Sequence, residues 1–353
     1  MDLRLSTAGE SHGPALVGIV TGLPAGLRLD RDLIDADLAR RQQGYGRSPR
    51  QRIEQDRLEV LAGLRHGRTL GTPLALVVRN RDHENWSWGM SPWPPEGEPR
   101  GKGTKPVTLP RPGHADLAGA LKFGHDDVRN TLERASARQT AITVAAGAVA
   151  KALLAEIGVE VAGSVVEMGD VDEAKAVRDT VGGVVEVRAR GVPPGLGSYG
   201  TREDRLDARL AAALMGIQAV KGVEIGEGFG LANLRGSEAH DEILPGFRRE
   251  TNRAGGIEGG VSNGEEIAAR AAMKPLPTLM RPLRSVDLAT GEPGEALVER
   301  SDTAAVEALA VVAEASVAFE FARAAREKFG GDALDDFIAA YRAYLGRIPW
   351  QPR

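Results

Sequence analysis

The chain has 353 residues and 42% hydrophobic content, enough for one large domain or two average ones with a sizeable core. Its 45 basic and 49 acidic residues leave a net charge of −4, which argues against a general attraction for nucleic acid or an anionic membrane. Cysteine is absent, which excludes disulfides, thiolate catalysis and cysteine-ligated metals, and the 4% aromatic content leaves the core to Ala, Val, Leu and Ile.

Residues 1–7 lack a basic segment followed by an apolar run, so no secretory leader is expected. The most apolar stretch, residues 141–150, is too short to span a bilayer and ends at Lys151. A cytoplasmic protein is the expectation. In chain order, residues 15–22 predict a buried strand and 23–26 a turn. Asp30 is an N-cap candidate for a helix carrying Leu33, Ile34 and Leu38 and ending near Gly44. The loop 44–52 brings Arg47, Arg50 and Arg52 close behind Arg40 and Arg41. Residues 80–112 are rich in Pro, Gly and Trp without periodicity, and predict a long irregular loop of the kind that carries function. An Ala-rich helix is expected from about Arg134 to Glu156, with a small-residue face for close packing against another helix. Strands follow at Val159–Val166 and Gly183–Val187. The spacing of Leu206, Leu210 and Leu214 predicts an amphipathic helix ending near Lys221 and Gly222. A glycine-dense region covers 222–264, and helices are expected at Thr303–Phe329 and Leu334–Tyr344. No linker stands out, and strand–helix alternation is too irregular for a doubly wound or barrel fold. The fold class expected is a single α+β domain over 1–353.

Several segments carry chemistry. Two histidines lie in glycine-flanked polar segments, Ala8-Gly9-Glu10-Ser11-His12-Gly13 and Arg111-Pro112-Gly113-His114-Ala115-Asp116. Histidine titrates near neutrality, and flanking glycine lets another molecule approach closely. Each segment alone reads equally well as a surface turn. The arginines 40, 41, 47, 50 and 52 suit phosphate or carboxylate, with a solvated basic loop as the plain alternative. Arg134-Ala135-Ser136-Ala137-Arg138, at the start of the expected Ala-rich helix, offers backbone N–H groups and two arginines to an anion. The run Gly255–Gly264 permits close ligand contact but is neither a Walker loop nor a dinucleotide fingerprint. Lys274-Pro275-Leu276-Pro277-Thr278 is a rigid segment presenting Lys and Thr. Arg300-Ser301-Asp302 precedes a helix, and Asp302 taken alone reads as its cap. Scattered histidines and missing cysteines give no metal site.

Together and in this order, Gly-Glu-Ser-His-Gly at 9–13, Arg-Pro-Gly-His-Ala-Asp at 111–116, Arg-Ala-Ser-Ala-Arg at 134–138, Gly-Gly-Val-Ser-Asn-Gly at 259–264, Lys-Pro-Leu-Pro-Thr at 274–278 and Arg-Ser-Asp at 300–302 resemble the chorismate synthase family. The resemblance covers nearly the whole chain. It implies a β-α-β sandwich, with antiparallel sheets enclosing a central helical layer, assembled as a homotetramer. It implies conversion of 5-enolpyruvylshikimate 3-phosphate to chorismate by 1,4-anti elimination of phosphate and a ring hydrogen, the last step of the shikimate pathway. Reduced FMN (FMNH2) is required although the reaction has no net redox change, and bifunctional members take the electrons from NADPH.

By resemblance, His12 is the general acid at the leaving phosphate. His114 protonates the reduced flavin, or holds it protonated, near its N1/C2 edge. Asp302 deprotonates flavin N5, in place of the reading as a mere cap. The flavin-binding pattern falls on Arg134, Ala135, Ser136, Gln218, Ala219, Gly259, Lys274, Pro275, Leu276, Pro277, Thr278 and Arg300. Arg41 and Arg47 match positions assigned to NADPH in the family, and with Arg111 and Arg138 they are also candidates for the substrate's phosphate and carboxylate. Two departures stand out. Asn130-Thr131-Leu132-Glu133 replaces a glycine run, placing Glu133 near an expected phosphate site, and Ala135 replaces a common serine. The rival readings are an FMN-dependent oxidoreductase with net hydride turnover and a non-catalytic flavin- or phosphate-binding protein.

Overall fold

The computed structural model describes residues 2–47, 55–299 and 301–350. Strands β1 (Arg4–Ala8) and β2 (Ala15–Thr21) open the fold as an antiparallel pair with Ser6 opposite Ile19. Burial alternates along β2, with Leu16, Gly18 and Val20 inward, the period of two that a half-buried strand requires. After β3 (Ala25–Arg28) comes α1 (Arg31–Gln42). Its N-cap is Asp30, as expected, and the carboxylate accepts the Asp32 N–H at 2.9 Å. Strands β4 (Leu58–Ala62), β5 (Leu64–Arg65), β6 (Arg68–Leu70) and β7 (Leu74–Arg79) follow. The first four-stranded sheet has the order β1-β2-β7-β4 and is antiparallel throughout.

The irregular span 80–112 holds one short 3-10 segment, Arg81–Trp86, and leads into α2 (Asp116–Phe123). The single helix expected from Arg134 is in fact two, α3 (Arg129–Ala135) and α4 (Thr140–Ala155), separated by the turn 137–139. Ser136 makes the break. Its backbone is extended and its hydroxyl accepts the Arg138 N–H at 3.3 Å, a local bond that competes with helix continuation. Arg134 therefore sits at the end of one helix and Arg138 in the turn before the next.

Farther along lie β8 (Glu160–Met168), α5 (Val171–Ala176), β9 (Gly183–Arg190) and α6 (Leu206–Met215). Leu206, Leu210 and Leu214 form the buried stripe of α6. The helix stops at Gly216, earlier than expected, and Lys221 and Gly222 belong to β10 (Val220–Ile225). The glycine-dense region carries α7 (Gly236–Ala239) and the two small hairpins β11 (Ile243–Leu244) with β12 (Arg248–Arg249) and β13 (Ile257–Glu258) with β14 (Val261–Ser262). Next comes β15 (Ile267–Met273), and the second four-stranded sheet has the order β10-β15-β9-β8, again antiparallel. The described helices end with α8 (Val306–Phe329) and α9 (Leu334–Leu345). The architecture is mixed α+β.

Helix α4 packs against β2 and β7 on one side and α8 on the other, and α8 packs against β8 and β9. The α4–α8 contact is tight because its residues are small. A Cβ on Gly147 would lie 2.3 Å from the Cβ of Ala315. Larger side chains such as Leu153, Leu154 and Phe321 are fully buried around it, each worth about 1.5–3 kcal/mol of hydrophobic stabilisation.

Candidate active site

The first loop of the candidate site leaves β1 at Gly9, whose φ of 115° suits glycine. A Cβ there would also lie 2.4 Å from the Ala15 carbonyl oxygen. This turn carries His12 inward until 4% of it is exposed. Its Nδ1 lies 2.9 Å from both carboxylate oxygens of Glu133, and its backbone N–H donates to Oε2 of the same residue at 2.9 Å. A carboxylate only accepts, so His12 Nδ1 carries a proton. The ring stacks on Trp86 at 3.9 Å, and His83 Nδ1 donates to the His12 carbonyl at 2.9 Å. Arg129, one helical turn before Glu133, bonds its carboxylate at 3.3 Å and lies 5.0 Å from the Trp86 ring centre. Burial pushes the Glu133 carboxyl up, but the His12 bonds and the Arg129 charge outweigh it and hold the group below its ordinary value.

The second loop turns at Gly113, φ 78°, and presents His114. His114 Nδ1 pairs with the Asp116 carboxylate, which is fully buried. The same carboxylate takes the Arg111 backbone N–H at 3.0 Å and its Nε at 2.8 Å. Burial pushes Asp116 up; the His114 and Arg111 bonds prevail and hold it well below the carboxylate range. Arg111 also reaches Thr278 Oγ1 at 2.8 Å, while Lys274 Nζ donates to the Gly113 carbonyl. The loop 111–116 is thereby tied to the segment that follows β15.

The third group is a set of arginines. Arg41 donates to Thr140 Oγ1 at 2.8 Å and to the Ala137 carbonyl at 3.0 Å. Asp56, buried between them, pairs with Arg41 at 3.4 Å and with Arg138 at 2.7 Å. Burial pulls the Arg41 guanidinium down to about 9; Asp56 opposes this, and the positive charges of Arg138 and Arg47 add to it. Arg47 pairs with Asp302 at 2.7 Å, and burial pulls its guanidinium down as well. Among the described residues, the buried Nε of Arg47 finds no hydrogen-bond partner. Asp302 is not the cap of α8: that position is Ala305, and the Asp302 carboxylate faces Arg47 instead.

These groups meet in a cleft of about 430 Å³, where the α3–α4 break, the two histidine loops, the start of β10, the end of β15 and the first turns of α8 converge. Of the residues named from the sequence, His12, His114, Asp302, Arg41, Arg47, Arg111 and Arg138 line it. So do Ala135, Ser136, Gln218, Ala219, Lys274, Leu276, Pro277 and Thr278. Ala219 holds a left-handed φ of 70°, a conformation that costs a residue with a side chain about 1–2 kcal/mol. Three expectations differ from what is found. Arg134 turns away to bond Thr7 at 3.0 Å, because it points from the end of α3 towards β1. Pro275 is not on the cleft wall, and Gly259 sits in the turn between β13 and β14. Arg300, with Arg50 and Arg52, lies outside the described residues.

The expectation that Glu133 loads a phosphate site with negative charge is also corrected: the carboxylate engages His12 and Arg129. Glu133 as the His12 partner, Trp86 as its stacking partner and Asp56 as the arginines' counter-charge were not singled out from sequence. The only sequence signal for any of them was the four-residue spacing of Arg129 and Glu133. Chemically, the cleft joins several arginines to two histidines with carboxylate partners and a carboxylate poised on an arginine. That combination binds anions and moves protons.

Comparisons with known proteins identify the family. The sequence profile of the family described as Chorismate synthase matches residues 3–176 and 168–325. The chorismate synthase of Desulforudis audaxviator (strain MP104C) is 54% identical over 386 residues, covering 98% of each chain. That of Rubrobacter xylanophilus (strain DSM 9941 / JCM 11954 / NBRC 16129 / PRD-1) is 52% identical, covering 99% of this chain and 98% of its own. A solved structure, "Crystal Structure of Chorismate Synthase", superposes with a TM-score of 0.77 at 36% identity, covering 99% of both chains. The chain belongs to the chorismate synthase family.

Proposed function

We propose that the cleft converts 5-enolpyruvylshikimate 3-phosphate to chorismate by 1,4-anti elimination of phosphate and a ring hydrogen, with reduced FMN held alongside. The observation that carries the reading is the convergence of Arg41, Arg47 and Arg138 with His12 and Asp302 on one cleft. The donor set fits two phosphorylated molecules. The orphaned Arg47 Nε and the mutually repelling arginines favour an incoming anion, and Leu276, Pro277, Ile217 and Leu309 give apolar lining of the kind an isoalloxazine ring needs. Flavin is assigned to Ala135, Ser136, Gln218, Ala219 and the segment Lys274–Thr278, with Arg300. When bound, reduced flavin supplies a transient electron that eases C–O cleavage, with no net redox change.

The chain's own residues do the rest. Arg41, Arg47, Arg111 and Arg138 neutralise the substrate's phosphate and carboxylate with largely buried guanidinium groups, where such charges act strongly. Because Arg41 and Arg47 line the same cleft as His12 and Asp302, we assign them to substrate rather than to NADPH. His12 donates a proton from Nε2 to the departing phosphate, which lowers the charge expelled. His114, oriented by Asp116, holds a proton on the flavin side. Asp302 accepts a proton at its carboxylate, with Arg47 stabilising the anion until it does so.

The same reading takes the chain as one domain arranged as a β-α-β sandwich, in which α4 and α8 form the enclosed layer. The main apolar cluster, which runs from Leu3 to Tyr341 beside a small second one of Val107, Ala120, Val128 and Leu132, supports it. It also takes the enzyme as a cytoplasmic homotetramer. The test of the residue roles is substitution. His12→Ala and Asp302→Ala should each lower kcat at least about 100-fold while FMN affinity stays within a few-fold. Near wild-type turnover in either variant would remove that residue from the mechanism.

A further inference from the structure

Glu133 occupies a position that the elimination chemistry above does not use, yet it holds both the ring and the backbone of His12. It bonds the His12 ring through Nδ1, at 2.9 Å to each oxygen, and the His12 backbone through its N–H, also at 2.9 Å. Its own carbonyl takes the Ser11 N–H at 3.0 Å, so the loop carrying His12 is docked on α3 by main chain as well as side chain. The carboxylate is buried to 2% exposure and is balanced by Arg129 at 3.3 Å. Arg129 and His12 both lie against Trp86, which holds the imidazole plane at an 18° tilt to its own, and the indole N–H is anchored on Asp82 at 3.0 Å.

We infer that Glu133 is a positioning residue for proton donation, fixing the His12 ring so that Nδ1 is always the protonated nitrogen turned away from the cleft and Nε2 is the one that exchanges a proton with the leaving phosphate. The inference rests on the reading of His12 as the general acid. Its physical basis is tautomer control. An imidazole has two nitrogens, and which one delivers a proton is set by the bond the other makes. A carboxylate can only accept, so it forbids the Nε2–H neutral tautomer, in which Nδ1 would present a lone pair to it. After the imidazolium gives its Nε2 proton to the phosphate oxygen, the neutral Nδ1–H ring stays bonded to Glu133. The ring keeps its place and is ready to take a solvent proton at Nε2. Glu133 remains ionised throughout, so no further proton carrier is needed.

Two measurements test this. The first needs no variant. In the full chain labelled with 15N-histidine and titrated until His12 is neutral, the His12 signals should be those of the Nδ1–H tautomer; an Nε2–H or evenly mixed tautomer would overturn the inference. The second is kinetic, with chemically reduced FMN and 5-enolpyruvylshikimate 3-phosphate under anaerobic conditions. Glu133→Gln should lower kcat about 10- to 100-fold with KM for the substrate changed less than about threefold. In a His12→Ala background the same change should cost nothing further, because the two residues act as a unit. Wild-type kcat in Glu133→Gln, with His12→Ala inactive, would overturn the role of Glu133 alone. Wild-type kcat in His12→Ala would overturn the reading of His12 itself, and the inference with it.

Discussion

Arg41, Arg47 and Arg138 are crowded in a way that costs the protein without ligand. Arg41 is buried and feels the positive charges of its two neighbours, with Asp56 as its near counter-charge. On the proposed function its charge serves the substrate anion, so Arg41→Met should raise the KM for 5-enolpyruvylshikimate 3-phosphate about 10- to 100-fold, the worth of roughly 1.5–3 kcal/mol for a charged hydrogen bond. Thermal stability should fall little, because the repulsion leaves with the guanidinium. Steady-state kinetics and a melting curve on one preparation check both halves, and a large loss of stability with unchanged KM would assign Arg41 to the scaffold. Asp116 and Glu133 carry the opposite lesson. Both are held below their ordinary values, 3.8 and 4.5, so each adds stability that is fully present above those values and is lost as pH falls through the lower folded ones. The urea midpoint should be level from about pH 7 to 5 and decline below about 4. Asp116→Asn should start from a lower midpoint at neutral pH and decline less steeply. Equal acid slopes in wild type and variant would show that Asp116 contributes nothing to the pH dependence.

The elements divide into those written in local pattern and those set by tertiary context. The alternation of β2, the Asp30 cap, the Leu206–Leu214 stripe and the long runs of α8 and α9 are periodic or capped, and sequence reasoning finds them. It misses the break at Ser136 because good helix formers flank it on both sides, and a single hydroxyl bond to the Arg138 N–H decides the matter. It carries α6 too far by passing over Gly216, where the helix stops before Val220 pairs with Met273 across the sheet. Ala-rich composition predicts close helix packing, and at Gly147 of α4 there is no room for a Cβ against Ala315 of α8. Gly147→Val should therefore destabilise by about 1–3 kcal/mol through overpacking, read as a lower urea midpoint with unchanged m. An unchanged midpoint would mean the two helices separate at no cost.

At the scale of the whole molecule, the site is a product of topology. His12 comes from the turn after β1, Arg41 and Arg47 from α1 and its exit, His114 from a loop past residue 110, and Asp302 from the approach to α8; no local window contains them together. Sequence reasoning reached this set by resemblance over the full chain, whereas the partners that give the residues their properties, Glu133, Trp86 and Asp56, were legible only once distances were known. The proposed homotetramer is a whole-molecule expectation too. Light scattering on the purified chain should give four times the chain mass, and a monomeric mass would contradict it.

The central claim is that one cleft eliminates phosphate from 5-enolpyruvylshikimate 3-phosphate with reduced FMN and no net redox change. The most direct measurement is an anaerobic reaction of the purified chain with that substrate and chemically reduced FMN, following inorganic phosphate and chorismate together. Equimolar phosphate and chorismate over many turnovers, with the flavin still reduced at the end, is the predicted result. Absence of both products, or stoichiometric flavin oxidation with no elimination product, would contradict it.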